Sequence, residues 1–405
     1  IATWLVVSHP KSKEEMMGFE RAWHQWYPQG TPPEVDIEAV TMPDVLERTA
    51  RDFPDNTAYI YMGKQISYRE LNRMATIFAH ALRDLGVGPG DKVGMLLPNI
   101  PQVVIANCAT YKLGAVTVMN NPLYTERELL HQLNDSETTT LVTLDLLLPR
   151  VLKIQKETRV KTIITCHIND YLPFPAKQLF PYVKKEMYRK DVPQEGVYPF
   201  MPLMGRYPDT PLPNKAVWPD TAALLYTGGT TGVSKGAELT HANISSVVQQ
   251  FSAWFPDLKV GRPERLLGIY PIFHSAGYSV SQNLLIWNGW TGVLVPRPDP
   301  VVITKLLKKY KPSFLPGVPT IFVGLLGHAP FRELDLSHVK GYFAGAAPLA
   351  EDTLNQLQGL HGAIIHDVYG ATENTAFATC TPWHGRVKIG TVGIPLPNTC
   401  LLYTS

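Results

Sequence analysis

Apolar side chains recur at helical spacing at Leu71, Met74, Phe78, Leu82 and Leu85. The run is bracketed by Ser67 and Glu70, which form an S-x-x-E capping box, and by Gly86, placed to end the helix. This pattern predicts an amphipathic helix with both ends marked. Apolar runs at 92–97 and 116–119 then read as strands, with a helix from about Pro101 between them, and a second capping box at Thr125 and Glu128 opens another helix. Residues 139–144 and 160–165 continue the series as strands. From 169 to 219 the periodicity gives way to an irregular, proline-rich excursion. The alternation then resumes, with strands expected near 222–226, 265–270, 292–295, 313–315, 341–344 and 363–368. Alternating strand and helix imply mostly parallel sheets covered on both faces. The fold class is therefore α/β, with two packed αβα-type units. The first, 1–217, includes an N-terminal extension and the irregular linker, and the second occupies 218–398.

A chain of 405 residues exceeds the size of a single hydrophobic core, which agrees with two units. Its 45% apolar and 18% charged residues suit a well-filled interior rather than a disordered chain. The 37 basic and 35 acidic side chains nearly cancel, so no field of one sign is available to hold nucleic acid. Cys108, Cys166, Cys380 and Cys400 lack CxxC spacing and read as reduced thiols of a cytoplasmic protein. The longest apolar candidate, 101–119, is broken by Lys112 and does not predict a membrane span, which leaves peripheral attachment to a membrane open. The chain starts at Ile1 without methionine and stops just after a proline-rich strand, so both ends read as cut. Residues 399–405 read as a truncated end, and 400–405 resemble a translated sequencing adapter.

The segment most informative about chemistry is YTGGTTGVSKG, residues 226–236, directly after the apolar strand 222–226. Its glycines let backbone N–H groups approach an anion, its hydroxyls cluster, and Lys235 adds a point charge, a combination that suits a polyphosphate. It is not a Walker A loop, because Lys235 follows Ser234 and precedes Gly236. The same residues contain G-x-S-x-G at Gly232, Ser234 and Gly236, so the alternative is a serine hydrolase with Ser234 as nucleophile. That reading needs a strand running straight into the serine and a helix right after it, whereas 227–233 intervene and 235–239 look extended. A second constellation is DVYGATE, 367–373, at the end of a strand, where Thr372 and Glu373 would face a site and a single carboxylate could help hold Mg²⁺. Gly345, Ala346 and Ala347 follow another strand, where small side chains let a flat ring lie on the backbone. His274 precedes a helix carrying Gly277. The run 86–90 lies between a helix end and a strand start and reads as a turn.

Together these elements resemble the adenylate-forming superfamily of acyl-CoA synthetases, most of all its long-chain fatty-acid–CoA ligases. The likeness also covers Gly393 to Pro397, the NNPLYT run at 120–125 and the HQLNDS run at 131–136, and extends from about 41 to 398. It implies ATP-dependent conversion of a carboxylate to acyl-AMP and then acyl-CoA. Thr227, Gly228, Gly229, Thr230, Thr231, Gly232 and Lys235 would embrace the phosphates of ATP. Thr227 and Glu373 would take Mg²⁺, and Thr372 the α-phosphate. Gly345, Ala346 and Ala347, with Asp367, Val368, Tyr369 and Gly370, would hold the nucleotide. His274, with Thr372 and Glu373, would act where the acyl site meets the phosphate. Coenzyme A would be the second acceptor, and a homodimer stays open. Aryl-CoA ligases and peptide-synthetase adenylation domains share the loop and form a further alternative. The resemblance also implies the start of a β-barrel subdomain near the end of this chain. A ribose-binding aspartate and a mobile C-terminal domain carrying the adenylation lysine would be absent, and the chain inactive alone.

Overall fold

Ser67 and Glu70 close the expected box in the computed structural model, which describes residues 21–228, 233–362 and 364–400. The Glu70 N–H donates to Ser67 Oγ (3.1 Å) and the Ser67 N–H donates to Glu70 Oε2 (2.8 Å). The helix Tyr68–Asp84 follows and buries Leu71, Phe78 and Leu82. Gly86 adopts φ +92°, a left-handed conformation that glycine reaches without a Cβ penalty. Thr125 and Glu128 open Glu126–Asp135 in the same way, and Thr240 with Asn243 opens His241–Ala253.

Among the described residues, sixteen strands form two sheets. A seven-stranded sheet has the order β7-β6-β5-β3-β4-β8-β9, from β3 (Lys92–Leu96), β4 (Val116–Met119), β5 (Thr140–Leu144), β6 (Thr162–Cys166), β7 (Val197–Pro199), β8 (Thr221–Thr227) and β9 (Lys235–Thr240). A nine-stranded sheet has the order β16-β15-β14-β13-β12-β10-β11-β1-β2. It is built from β1 (Thr57–Tyr61), β2 (Lys64–Ser67), β10 (Arg265–Gly268), β11 (Thr291–Leu294), β12 (Phe314–Gly317), β13 (Gly341–Ala344), β14 (Ile365–Tyr369), β15 (Thr379–Cys380) and β16 (Ile394–Pro395). Pairing is parallel except at β1/β2, β8/β9, β14/β15 and β15/β16. The sheets interleave along the chain. β1 and β2 join strands that come after residue 217, and β8 and β9 join strands that come before it, so each sheet draws on both sides of that position.

The largest apolar cluster joins Leu266 and Phe314 of one sheet to Val93 and Met95 of the other through the helices between them. One of these, Pro101–Lys112, is buried along its whole length, its polar Gln102, Asn107, Thr110 and Lys112 each held by a hydrogen bond. Separate clusters cover the outer faces, with Leu307, Phe322 and Leu357 on the nine-stranded sheet and Leu129, Leu133 and Val151 on the other. Both sheets are thus covered on both faces, as parallel sheets require.

Two expectations need correction. The excursion is not wholly irregular: it holds the helix Ala176–Val183, the edge strand β7 and the helix Phe200–Met204. A three-residue strand and a helix containing Pro181 are too short or too interrupted to show a period. The start of a barrel also does not appear among the described residues. β15 and β16, two residues each, add antiparallel to the open edge at β14, with Val368 opposite Cys380 and Thr379 opposite Pro395, and no closed barrel forms. No described helix is long and apolar enough to cross a membrane.

Candidate active site

Strand β8 delivers the chain to Thr227 and β9 returns it from Lys235, with these two residues directly paired. The glycine-rich segment is therefore the tip of an antiparallel hairpin. Gly228 borders open space, since a Cβ there would meet nothing within 4 Å; Gly229, Thr230, Thr231 and Gly232 lie outside the described residues. Both stems are fixed to the helix Glu126–Asp135. The Tyr226 hydroxyl donates to Asp135 Oδ2 (2.6 Å), and His131 Nε2 donates to the Ser234 carbonyl (3.0 Å). Because a carbonyl only accepts, Nε2 of His131 must carry the proton. Ser234 Oγ donates to the Thr227 carbonyl (2.6 Å), and the chain continues from it into β9 rather than a helix. That is not the strand–serine–helix elbow of a hydrolase nucleophile.

Strand β14 ends beside this hairpin. At Gly370 the chain turns so closely that a Cβ would lie 1.7 Å from the Ala376 carbonyl oxygen, so only glycine fits. The following turn, Thr372–Asn374, packs against β8 and β9, which brings Thr372 to Thr227. The Thr372 hydroxyl also donates to Ser275 Oγ (3.4 Å), while Glu373 is exposed beside it. One strand further, Ala344 pairs with Asp367, so 345–347 and 367–369 leave neighbouring strands side by side. A Cβ at Gly345 would sit 3.3 Å from the Val368 carbonyl and 3.5 Å from the Tyr270 hydroxyl, and Ala346 takes the left-handed φ of +68°. Burial pushes the Asp367 carboxyl up from its ordinary range, and Tyr369 stands half exposed.

His274 caps the short helix Ser275–Gly277, its Nδ1 accepting the Ala276 N–H (3.4 Å). The ring is open to the site but recessed among neighbours, and desolvation lowers its pKa from the ordinary imidazole value. With Nδ1 accepting, Nε2 is the ring nitrogen left to donate.

Two cavities meet at this residue. One, of about 360 Å³, is walled by Phe251, Phe255, Trp290, Phe314, Phe343 and Phe377, with His274, Gly345, Ala346, Val368 and Gly370 on its border. The other, of about 310 Å³, is lined by Asn121, Tyr124, Thr227, Gly228 and Thr372. Phe273 and His274 belong to both. An apolar chain can occupy the first and a polar, anionic group the second, with an N–H donor at their junction.

Among the expected residues, Thr227, Gly228, His274 and Thr372 share the polar cavity. Lys235, Ala347, Asp367, Tyr369 and Glu373 occupy adjoining positions on the same strand ends without lining either cavity. The sequence reading missed the aromatic wall, which is spread over separate elements with no motif, and assigned no role to Asn121 and Tyr124, although the NNPLYT run contains both.

The family described as AMP-binding enzyme matches residues 46–402. The chain is 35% identical over 386 residues to a long-chain-fatty-acid–CoA ligase of Bacillus subtilis, covering 95% of this chain and 69% of that one. Against a long-chain-fatty-acid–CoA ligase of Haemophilus influenzae it is 32% identical, covering 94% and 69%. Among solved structures, a long-chain-fatty-acid-CoA ligase from Archaeoglobus fulgidus superposes with a TM-score of 0.78 at 25% identity, over 91% of this chain and 71% of that one. An anthranilate CoA ligase in complex with anthranoyl-AMP gives 0.77 at 22% identity, covering 88% and 64%, a likeness of fold alone. None of these likenesses supports the serine-hydrolase reading of Ser234.

Proposed function

The chain belongs to the AMP-binding enzyme family, with AMP-forming acid–thiol ligases as its relatives, and we propose that it serves the activation of a long-chain fatty acid. A carboxylate oxygen attacks the α-phosphorus of ATP and pyrophosphate departs. The thiol sulfur of coenzyme A then attacks the acyl carbon, and AMP leaves.

The observation that carries this reading is the meeting of an aromatic-walled cavity and a polar cavity at Phe273 and His274. The first suits an alkyl chain, and the second suits phosphates. By this reading Thr227, Gly228 and the rest of the hairpin tip, with Lys235, take the β- and γ-phosphates, and Thr372 takes the α-phosphate. The small residues 345–347 and the strand end 367–370 hold the nucleotide. Nε2–H of His274 steadies the carboxylate or the phosphate oxygen it approaches. Catalysis then rests on positioning and charge neutralisation.

The donor set also fits Mg²⁺. No group of three His, Cys, Asp or Glu side chains among the described residues could form a protein cage, and Mg²⁺ usually takes one or two protein oxygens plus phosphates and water. Thr227 and Glu373 would supply those oxygens, and the ion would neutralise phosphate charge. Peripheral membrane contact and a homodimer belong to the same proposal.

The chain spans 69% of the length of the Bacillus relative. The resemblance assigns the ribose-binding aspartate and the adenylation lysine to segments outside the matched residues. The test is pyrophosphate release with ATP, Mg²⁺ and saturated fatty acids of increasing length, on this chain and on one carrying the relatives' remaining length. Release that needs both substrates and rises toward long chains is expected in the longer protein. Release faster with benzoate, or without any acid, sinks the proposal.

A further inference from the structure

The segment that follows β6 presents an unusual surface. Phe174, Tyr182, Val192, Val183 and Leu179 are 84, 76, 73, 69 and 52% exposed. Leu179, Tyr182 and Val183 fall at i, i+3 and i+4 of the helix Ala176–Val183 and so share one face. Only Phe180 of that helix is buried. Three apolar groups this exposed on one helix face mark an interaction site rather than ordinary surface.

These side chains are held outward by a rigid base. Asn169 Nδ2 donates to the Lys177 carbonyl (3.0 Å), and the Arg189 N–H donates to Asp145 Oδ2 (2.6 Å). His167 bridges Asp145 (2.9 Å) and Asp191 (3.0 Å) through its two ring nitrogens. Both ends of the segment are therefore tied to the carboxyl ends of β5 and β6.

The charge identifies the partner. Lys177, Lys184, Lys185, Arg189 and Lys190 lie within the same stretch, opposed only by Glu186 and by Asp191, which is committed to His167. None of the five cations pairs with a carboxylate among the described residues. This local excess is larger than the whole chain's formal charge of +2. Lysine is depleted at protein–protein interface cores, whereas apolar side chains interleaved with lysine match the interface of an anionic bilayer. We propose that residues 174–192 form a docking surface for an anionic phospholipid membrane. Leu179, Tyr182 and Val183 enter the headgroup–acyl boundary while the lysines meet phosphate. β6 lies four strands from β8, so this surface and the phosphate hairpin share one end of the sheet, roughly 20 Å apart at the usual strand spacing.

The experiment is co-flotation of the full chain with phosphatidylcholine vesicles, with and without phosphatidylglycerol. Binding to the anionic vesicles alone, weakened by salt, is expected. Lys184→Glu with Lys185→Glu should lower partitioning roughly twentyfold or more, and Leu179→Asp with Tyr182→Asp should abolish it, with thermal unfolding unchanged in both. Should the apolar pair misfold, the charge pair alone decides. The idea fails if the wild type ignores anionic vesicles, or if either folded variant floats as well as the wild type. It also fails if the apolar variant instead breaks up a dimer seen by light scattering, which would make the patch a contact between two copies. No turnover is needed for any of these readings, so failure here leaves the ligase proposal standing.

Discussion

Each side chain at the junction has a separable electrostatic task. Glu373 stands exposed next to Thr372, which reaches the polar cavity. Glu373→Gln keeps the shape and removes the charge, so a ligase built as proposed should lose about a hundredfold in adenylation, the scale of one preorganised electrostatic contact. Its magnesium dependence should weaken in parallel. Magnesium titration of pyrophosphate release is the check, and a wild-type curve would remove Glu373 from metal binding. Lys235 pairs with Thr227 across the hairpin, and in the proposed ligase its charge would serve the terminal phosphates rather than the α-phosphorus under attack. Lys235→Ala should therefore raise the KM for ATP roughly tenfold to a hundredfold, the loss of one charge-assisted hydrogen bond. The KM for fatty acid should barely move. Equal effects on both constants would contradict this division of labour.

The helix Glu126–Asp135 is the mount of the phosphate hairpin, since it holds the outgoing stem through His131 and the incoming one through Asp135. His131→Ala removes one hydrogen bond, which should cost about 1 kcal/mol of stability. It should also raise the KM for ATP several-fold, because the Ser234 stem loses its tie to this helix. His131→Gln, which can still donate to the Ser234 carbonyl, should restore most of that rise. Full activity in the alanine variant would show that ATP use does not depend on this contact. The mount also shows what the sequence could and could not reveal. The capping box at Thr125 and Glu128 was legible because its contacts lie within a single turn, and the Gly-rich and Thr372–Glu373 runs stood out by residue type and spacing alone. The aromatic wall was not, since Phe251, Phe255, Trp290, Phe314 and Phe343 contribute one or two side chains per element and leave no period. The membership of β1, β2, β8 and β9 was hidden for a related reason. A strand's pattern records that one face is buried, not which sheet buries it.

Across the whole molecule, buried imidazoles give stability two limbs of opposite sign in pH. His241 is desolvated between helices with its Nδ1 accepting the Met42 N–H (3.4 Å). His366 lies between the rings of Phe343 and Trp383, with centroids 5.2 and 5.0 Å away. Burial lowers both to about 4. Between that value and about 6.5, where an unfolded imidazole titrates, the unfolded chain binds more protons. The stability from keeping these rings neutral is thus complete above about 6.5 and is lost as pH falls toward 4, by ~3 kcal/mol for each ring. His167 works the other way. Burial opposes its charge, but the hydrogen bonds it donates to Asp145 and Asp191 outweigh that and raise it to about 10. Its contribution is complete below about 6.5 and is lost as pH rises through 10. Denaturant unfolding should therefore show greatest stability between these limits. His366→Gln should flatten the acid limb between pH 5 and 6.5, and His167→Gln should flatten the alkaline limb, whatever each does to stability at neutral pH. The slope is the diagnostic quantity, because a purely steric defect shifts a whole curve without changing its pH dependence. Parallel curves for His366→Gln and the wild type across the acid limb would mean that the buried ring is already protonated in the folded chain, and the proton linkage would have to be assigned to other groups.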